Sequence, residues 1–257
     1  MNSTDLAIDA FFREKYEALP RPKSWMPGPP SPWSTIPVKD RHLEIAKIEN
    51  YIIHENQREF TVNEISRDEL SDVEIENLGD NDNITKPSAV LVPLVLDESG
   101  DEVESIIVMT RSMSVSHHKG QVSFPGGMVE VSDADVVETA LRETKEEIGI
   151  GSDSFTILGT RPPVHTRSKV GFITPVIASC KKAVVSSFTL SPSEVESIHL
   201  IDISEILSPD NYMCEVWDFG NMTATIHIFF VKDQQGNPVF IWGATAHILT
   251  DVLHCLK

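Results

Sequence analysis

The sequence predicts an α/β protein in which a mixed β-sheet lies between helices, with an N-terminal extension ahead of it. Short runs rich in Val, Ile, Phe and Thr recur between residues 88 and 242, and turn-forming residues bound most of them, as in strands. Two long patterns of helical period, at 133–148 and 244–256, separate or follow these runs. Many strands with few, well-separated helices favour a mixed sheet flanked by helices.

The first 85 residues form the predicted extension, which begins with a helix at 5–18 that uses Leu6, Phe11 and Phe12 as apolar contacts. The proline-rich stretch at 20–37 follows and is expected to be extended. It could be a ligand for a proline-recognition domain. We favour a strap that lies on the domain.

Trp25 and Trp33 are the expected anchors of this strap. A second helix is predicted at 40–54, where apolar residues recur with helical period. The acidic segment 67–83 is expected to be a solvated turn region or a flexible linker.

The domain itself is predicted to span residues 86–257. Its expected strands read SAVLVPLVL, SIIVMTR, GQVSF, FTILGT, VGFITPVIASC, SIHLIDI, TATIHIFFV and PVFIW. The run ATAHILTDVLHCL is predicted to form the closing helix.

Charge and hydropathy argue against two classes of partner, nucleic acids and membranes. The chain has 21 Lys and Arg against 39 Asp and Glu, a net charge of -18, which argues against binding the phosphate backbone of nucleic acids. No apolar run approaches the ~18 residues of a membrane span, so we expect no membrane partner. Cys180, Cys214 and Cys255 lack zinc-site spacing and are expected to be reduced thiols.

The chain termini give no clear address. The N-terminus lacks a signal-peptide core and the Arg-rich, acid-poor character of a transit peptide, and the C-terminal HCLK is not an SKL-type peroxisomal signal. The cytoplasm is therefore the default expectation, with the mitochondrion as the alternative. The sequence does not indicate an oligomeric state.

The segment FPGGMVEVSDADVVETALRETKEEIGI, residues 124–150, contains a helix rich in glutamate. Ser132 or Asp133 can cap its N-terminus, with Asp135 in the first turn, and Gly149 stands where a left-handed C-terminal cap belongs. Four residues at helical spacing form the stripe predicted to face the core: Val137, Leu141, Thr144 and Ile148.

The opposite side of this helix is predicted to present Arg142, Glu143, Glu146 and Glu147. Like charges at such spacing destabilise a helix by a few tenths of a kcal/mol per pair, roughly. Clustered carboxylates suit hard cations such as Mg²⁺ or Mn²⁺, which would remove the repulsion and attract a diphosphate. A bound cation can also acidify and orient water, so these parts point to hydrolysis of a P–O–P linkage.

The segment GGMVEVSDADVVETALRETKEEIGI resembles the Nudix box, G-x5-E-x7-R-E-U-x-E-E-x-G-U, which implies a Nudix α/β/α sandwich. Asp133 takes the first acidic position, with eight residues rather than seven before Arg142, and Thr144 takes the first aliphatic position. Both departures resemble the branch that cleaves coenzyme A. The upstream IVMTRSMSVSHHKGQVSFPGG resembles the motif of that branch. Ser116 replaces its second arginine, and nearby charge is left to His117, His118 and Lys119.

The resemblance implies roles for residues of this chain. Glu143 and Glu147 are the expected primary metal ligands, and Glu146 is a further ligand or a carboxylate acting in catalysis. Arg142 is expected to orient Glu143 by a salt bridge. A glutamate from a distant loop, Glu194 with Glu196 as the reserve, is expected to be a ligand or the catalytic base.

Substrate contacts are expected from Arg111 and Lys119, and from the turn Gly126–Gly127, where backbone can approach a ligand closely. Arg161 and Arg167 could meet a nucleotide 3'-phosphate, although we favour solvated positions for both.

The resulting hypothesis is a metal-dependent coenzyme A diphosphatase that releases 3',5'-ADP and 4'-phosphopantetheine or its acyl form. One alternative is a Nudix hydrolase of ADP-ribose, NADH or a dinucleoside polyphosphate. Another is a catalytically silent Nudix module used for binding.

Overall fold

The computed structural model describes residues 3–59, 87–115, 118–165, 171–220 and 222–256. The helices are α1 (Ser3–Glu17), α2 (Ile45–Glu59), α3 (Val136–Ile148), α4 (Ile203–Ile206) and α5 (Gly243–Leu253). The strands are β1 (Ser24–Pro27), β2 (Pro87–Leu96), β3 (Val103–Arg111), β4 (Val122–Ser123), β5 (Gly126–Met128), β6 (Phe155–Thr160), β7 (Val164–His165), β8 (Phe172–Lys181), β9 (Val195–Asp202), β10 (Tyr212–Asp218), β11 (Thr223–Lys232) and β12 (Pro238–Trp242). Short 3-10 turns occur at Val38–Asp40, Ser152–Ser154, Lys182–Ser187, Pro209–Asn211 and His254–Leu256.

A large mixed sheet forms the centre, with strands in the order β4-β3-β2-β8-β6. The β2–β8 pair is parallel, and the other pairs of this sheet are antiparallel. Strand β9 adds to β3, β5 to β2 and β7 to β8. The parallel pair is buried on both faces, which explains why its strands read as continuous apolar runs. The predicted α/β class is confirmed.

The three strands after residue 211 form a second, antiparallel sheet with β1, in the order β1-β10-β11-β12. The prediction of one sheet was wrong on this point, and it missed β1 and β10. Strand β10 is flanked on one side by β1 from the N-terminal extension, with Trp25 paired to Trp217. Pairing between segments so distant in sequence leaves no local pattern.

Two apolar layers cover the large sheet. On one face α3 packs through Ala140 against Leu91 of β2 and Val176 of β8. On the other face lie the second sheet, α2 and α5, and this layer contains much of the core, including Ile48, Phe229, Ile241 and Leu249. The large sheet thus lies between helix α3 and a mixed layer of strands and helices.

The N-terminal extension contacts the second sheet. Trp33 is 1% exposed and stacks on Phe229 at 6.0 Å, whereas Trp25 is 42% exposed, so one of the two expected anchors is buried. Arg21 pairs with the fully buried carboxylate of Glu215 at 2.8 Å. Leu6, expected to be a contact of the first helix, is 57% exposed and was wrongly assigned.

Other predictions about the extension have mixed outcomes. Helix α2 begins at Ile45 rather than at residue 40, because Leu43 is already engaged through its backbone with Val103. The acidic segment 67–83 and the boundary between residues 85 and 86 lie outside the described residues.

No helix in the described ranges is long and apolar enough to cross a membrane.

Candidate active site

Helix α3 is held at both ends by local contacts. The Asp135 side chain caps its N-terminus and accepts hydrogen bonds from the amides of Val137 and Glu138, each at 2.9 Å. Gly149 ends the helix with φ 78°, as predicted. The predicted N-cap at Ser132 or Asp133 was wrong, because Asp133 is occupied by Arg142.

The predicted core stripe of α3 is confirmed. Thr144 and Ile148 are fully buried, and Val137 and Leu141 pack partly buried against the sheet. The Thr144 hydroxyl donates to the carbonyl of Ala140 at 2.6 Å, so a polar side chain is accommodated where an aliphatic one would fit.

Glu147 is the most deeply buried carboxylate of this helix. It is 2% exposed. Its Oε2 accepts a hydrogen bond from the Gly126 amide at 2.8 Å, and its Oε1 lies 3.3 Å from Nη1 of Arg111. Burial raises the pKa of Glu147 to about 8, and the charges of Glu143 and Glu194 act in the same direction.

Glu143 lies beside the glycine turn. A Cβ at residue 127 would overlap the Glu143 carboxylate, so Gly127 leaves the space that this side chain occupies. Its side chain is 18% exposed, and burial raises the pKa of its carboxyl group. Glu146, with 55% of its side chain exposed, lies at the solvent side of the same helix.

Arg142 contacts three carboxylates at the surface of α3. Its Nε and Nη2 bind the two oxygens of Asp133 at 2.9 and 3.0 Å, a bidentate pair. Its Nη1 lies 3.0 Å from Glu143 Oε1 and 3.4 Å from Glu146 Oε2, and Nη2 donates to the Met128 carbonyl at 3.0 Å. The hydrogen bonds from Arg142 hold the pKa of Asp133 well below its usual range.

The distant glutamate lies at the start of β9. The carbonyl of Glu194 accepts a hydrogen bond from the Ser112 amide at 2.8 Å, which joins its loop to the end of β3. Its charge acts on both Glu143 and Glu147, so its carboxylate lies within electrostatic reach of the site. Glu196 is exposed. Lys119 is also exposed, in the loop between Arg111 and the glycine turn.

These side chains have the donor chemistry that a divalent cation requires. The candidate ligands Glu143, Glu146 and Glu147 offer carboxylate oxygens, and Gly127 leaves room for Glu143. Among the described residues, no three His, Cys, Asp or Glu side chains are arranged to hold a metal. Arg142 and Arg111 already contact the carboxylates, so a cation would have to replace some of these contacts.

Arg161 corrects a sequence-based expectation. It is not solvated: it is 5% exposed and pairs with Asp251 at 2.7 Å. Its guanidinium also stacks over the ring of Tyr51, at 4.6 Å from the centroid. Its role is to join α2, α5 and the end of β6. Ser116, His117 and Arg167 lie outside the described residues.

Sequence reasoning missed two contacts of this site. It did not foresee the Arg111–Glu147 pair or the bond from Gly126 to Glu147, because both join segments that are distant in the chain. The hydrogen bond from Arg142 to Asp133 had a signal in the motif, where Asp133 takes the first acidic position.

Comparison with known proteins gives a family and several relatives. The NUDIX domain family model matches residues 85–214. A mitochondrial coenzyme A diphosphatase of Mus musculus is 34% identical over 166 residues, 63% of this chain and 73% of that protein. A peroxisomal coenzyme A diphosphatase of Caenorhabditis elegans is 33% identical over 163 residues, 63% of this chain and 64% of that protein. A crystal structure of a MutT/nudix family protein from Enterococcus faecalis aligns with 81% of this chain and 72% of its own, with 13% identity and a TM-score of 0.39.

The matched residues 85–214 make up just over half of the 257-residue chain, and the chain belongs to the Nudix hydrolase family, whose enzymes are pyrophosphohydrolases. Within that family, its resemblance is to the coenzyme A diphosphatase branch, in agreement with the names of both relatives.

Proposed function

We propose that this chain hydrolyses the diphosphate linkage of coenzyme A and its thioesters with Mg²⁺ or Mn²⁺, releasing 3',5'-ADP and 4'-phosphopantetheine or its acyl form. The observation that carries the proposal is the buried carboxylate of Glu147, held by Gly126 and beside Arg111. A buried carboxylate next to a second and a third is unfavourable unless a cation compensates it. Names of the relatives support the choice of substrate.

Glu143 and Glu147 would hold the cation, with Glu146 as a further ligand or as a carboxylate that acts in catalysis. When bound, a divalent cation supplies Lewis acidity and lowers the pKa of water. Arg142 positions Glu143 through its 3.0 Å contact, since its other donors are fixed by Asp133. Glu194 is the candidate to accept a proton from the attacking water or to complete the ligand set.

In this proposal the substrate is held by backbone groups and by positively charged side chains. The turn Gly126–Gly127 lets the diphosphate approach the main chain, and Arg111 and Lys119 contact its oxygens. Phosphoryl transfer depends mainly on such positioning and charge compensation.

A second substrate class follows from one departure from the coenzyme A motif. Ser116 stands where the branch has an arginine, so one expected cation is missing. This favours comparing coenzyme A with ADP-ribose, NADH and a dinucleoside polyphosphate. The silent binding module is the third reading, and the retained carboxylate cluster argues against it.

The test is incubation of the full chain with Mg²⁺ or Mn²⁺ and each substrate, with products identified by mass. We expect 3',5'-ADP from coenzyme A. Glu147→Gln should lower the rate of hydrolysis by more than the roughly 10–100-fold that is typical when a residue next to a metal ligand is changed. Glu138→Gln, on the same helix but exposed, is the matched control. Turnover of ADP-ribose without coenzyme A would change the substrate class, and no turnover would favour the binding module.

The compartment is part of the same proposal. The names of the two relatives place them in the mitochondrion and the peroxisome. Imaging of the tagged full chain would decide between the cytoplasm, which the sequence favours by default, and these two compartments.

A further inference from the structure

Arg111 and Glu147 are in contact, although the proposed reaction gives them different tasks. Glu147 would hold the cation, and Arg111 would contact the substrate. Arg111 is the last residue of β3, and its side chain is 25% exposed, whereas that of Glu147 is 3% exposed. The distance from Arg111 Nη1 to Glu147 Oε1 is 3.3 Å. The other carboxylate oxygen already accepts the Gly126 amide at 2.8 Å. Oε1 is therefore the oxygen at which Glu147 meets a positive charge.

A divalent cation at Oε1 and the Arg111 guanidinium would repel one another. Both are positive, both need the same oxygen, and the buried surroundings of Glu147 screen their repulsion poorly.

The two arginines of the site differ in the number of polar contacts that hold their guanidinium groups in place. Arg142 is fixed by the two oxygens of Asp133 at 2.9 and 3.0 Å and by the Met128 carbonyl. The guanidinium of Arg111, within the described part of the chain, makes one polar contact, the one to Glu147. It keeps further N–H donors for an anion, and its partial exposure gives it space to turn.

We propose that Arg111 is an exchangeable partner of Glu147. It competes with the divalent cation for Glu147 Oε1, and when the cation takes that oxygen the guanidinium turns to the diphosphate. The inference rests on the proposed function. It makes binding ordered, because Arg111 becomes available to the substrate only after the cation has displaced it.

The first test is calorimetric titration of the full chain with Mn²⁺ alone. Arg111→Gln should bind Mn²⁺ about fivefold or more tightly than the wild type, because the competing cation is gone. Lys145→Gln is the matched control: it removes the same charge from an exposed position of α3 and should change the affinity by less than about twofold. Unchanged or weaker binding by Arg111→Gln would overturn the exchange.

A second measurement covers the case in which Arg111→Gln does not fold. The side-chain Nε–Hε signals of arginine are followed by NMR in the ¹⁵N-labelled wild type, with Arg111 assigned through Arg111→Lys. Saturating Mg²⁺ should shift the Arg111 signal and leave that of Arg142 in place. An Arg111 signal that does not respond to the cation contradicts the proposal.

Failure of the proposed function gives a different pattern. If the wild type binds Mn²⁺ and Arg111→Gln binds it more tightly, but no diphosphate substrate is cleaved, the exchange stands and the hydrolase assignment fails. If coenzyme A is cleaved and the affinities of wild type and variant are equal, the function stands and the exchange fails. No Mn²⁺ uptake by the wild type overturns both.

Discussion

Glu147→Gln should make the metal-free protein less sensitive to alkaline pH. Burial raises the pKa of this carboxyl group from 4.5 to about 8. A folded state that keeps its proton to higher pH than the unfolded chain loses stability as the pH rises between these two values. Glutamine keeps the shape and can still accept the Gly126 amide, but it has no proton to lose.

The size of the effect follows from the shift. One pKa unit corresponds to about 1.4 kcal/mol, so the full shift corresponds to about 5 kcal/mol. Between pH 5 and pH 8 the wild type should lose about 3 kcal/mol of unfolding free energy through Glu147 alone. The side chain is 3% exposed, so solvent screening reduces this little.

Urea unfolding in EDTA, at several pH values from 5 to 8, measures this effect as the difference between wild type and Glu147→Gln. All other titrating groups are common to both proteins and largely cancel in the difference. The variant should gain relative to the wild type as the pH rises. A constant difference across this range would refute the assignment of a raised pKa to a buried Glu147. Added Mg²⁺ should restore stability to the wild type and not to the variant.

Three further changes test the supports of the site and fold. Arg142→Lys loses the bidentate pair with Asp133 and should cost about 2–3 kcal/mol in urea unfolding; a cost near zero would show that the pair is not needed. Trp33→Ala leaves a cavity against the second sheet and should cost about 3–5 kcal/mol by thermal unfolding, and an unchanged melting temperature would contradict this. Asp233→Asn removes the charged partner of His199 at 2.8 Å; we expect a loss of about 1–3 kcal/mol, and an unchanged denaturation midpoint would contradict it.

Local sequence features predicted much of the fold. The strands FTILGT and PVFIW match β6 and β12 residue for residue, since their patterns are apolar and bounded by turn residues. Gly149 marked the end of α3 because a left-handed residue favours glycine. Strand β10 was missed because its neighbours come partly from the N-terminal extension.

The sequence predicted which carboxylates form the candidate site, but not which of them is buried. Helical spacing correctly put Glu143, Glu146 and Glu147 on one helix, but it did not indicate that Glu147 is buried. Burial of Glu147 depends on the glycine turn and on β3, which lie earlier in the chain. The same reason explains Arg161, whose partner Asp251 belongs to the last helix.

The sequence alone determined the class of fold, the family, and the carboxylates of α3, because these depend on spacing within one segment. The tertiary structure decided which carboxylate is buried, which arginine can leave it, and how the strands divide between two sheets. Burial and ion pairing result from contacts between segments distant in the chain, and a pattern of neighbouring residues does not contain them.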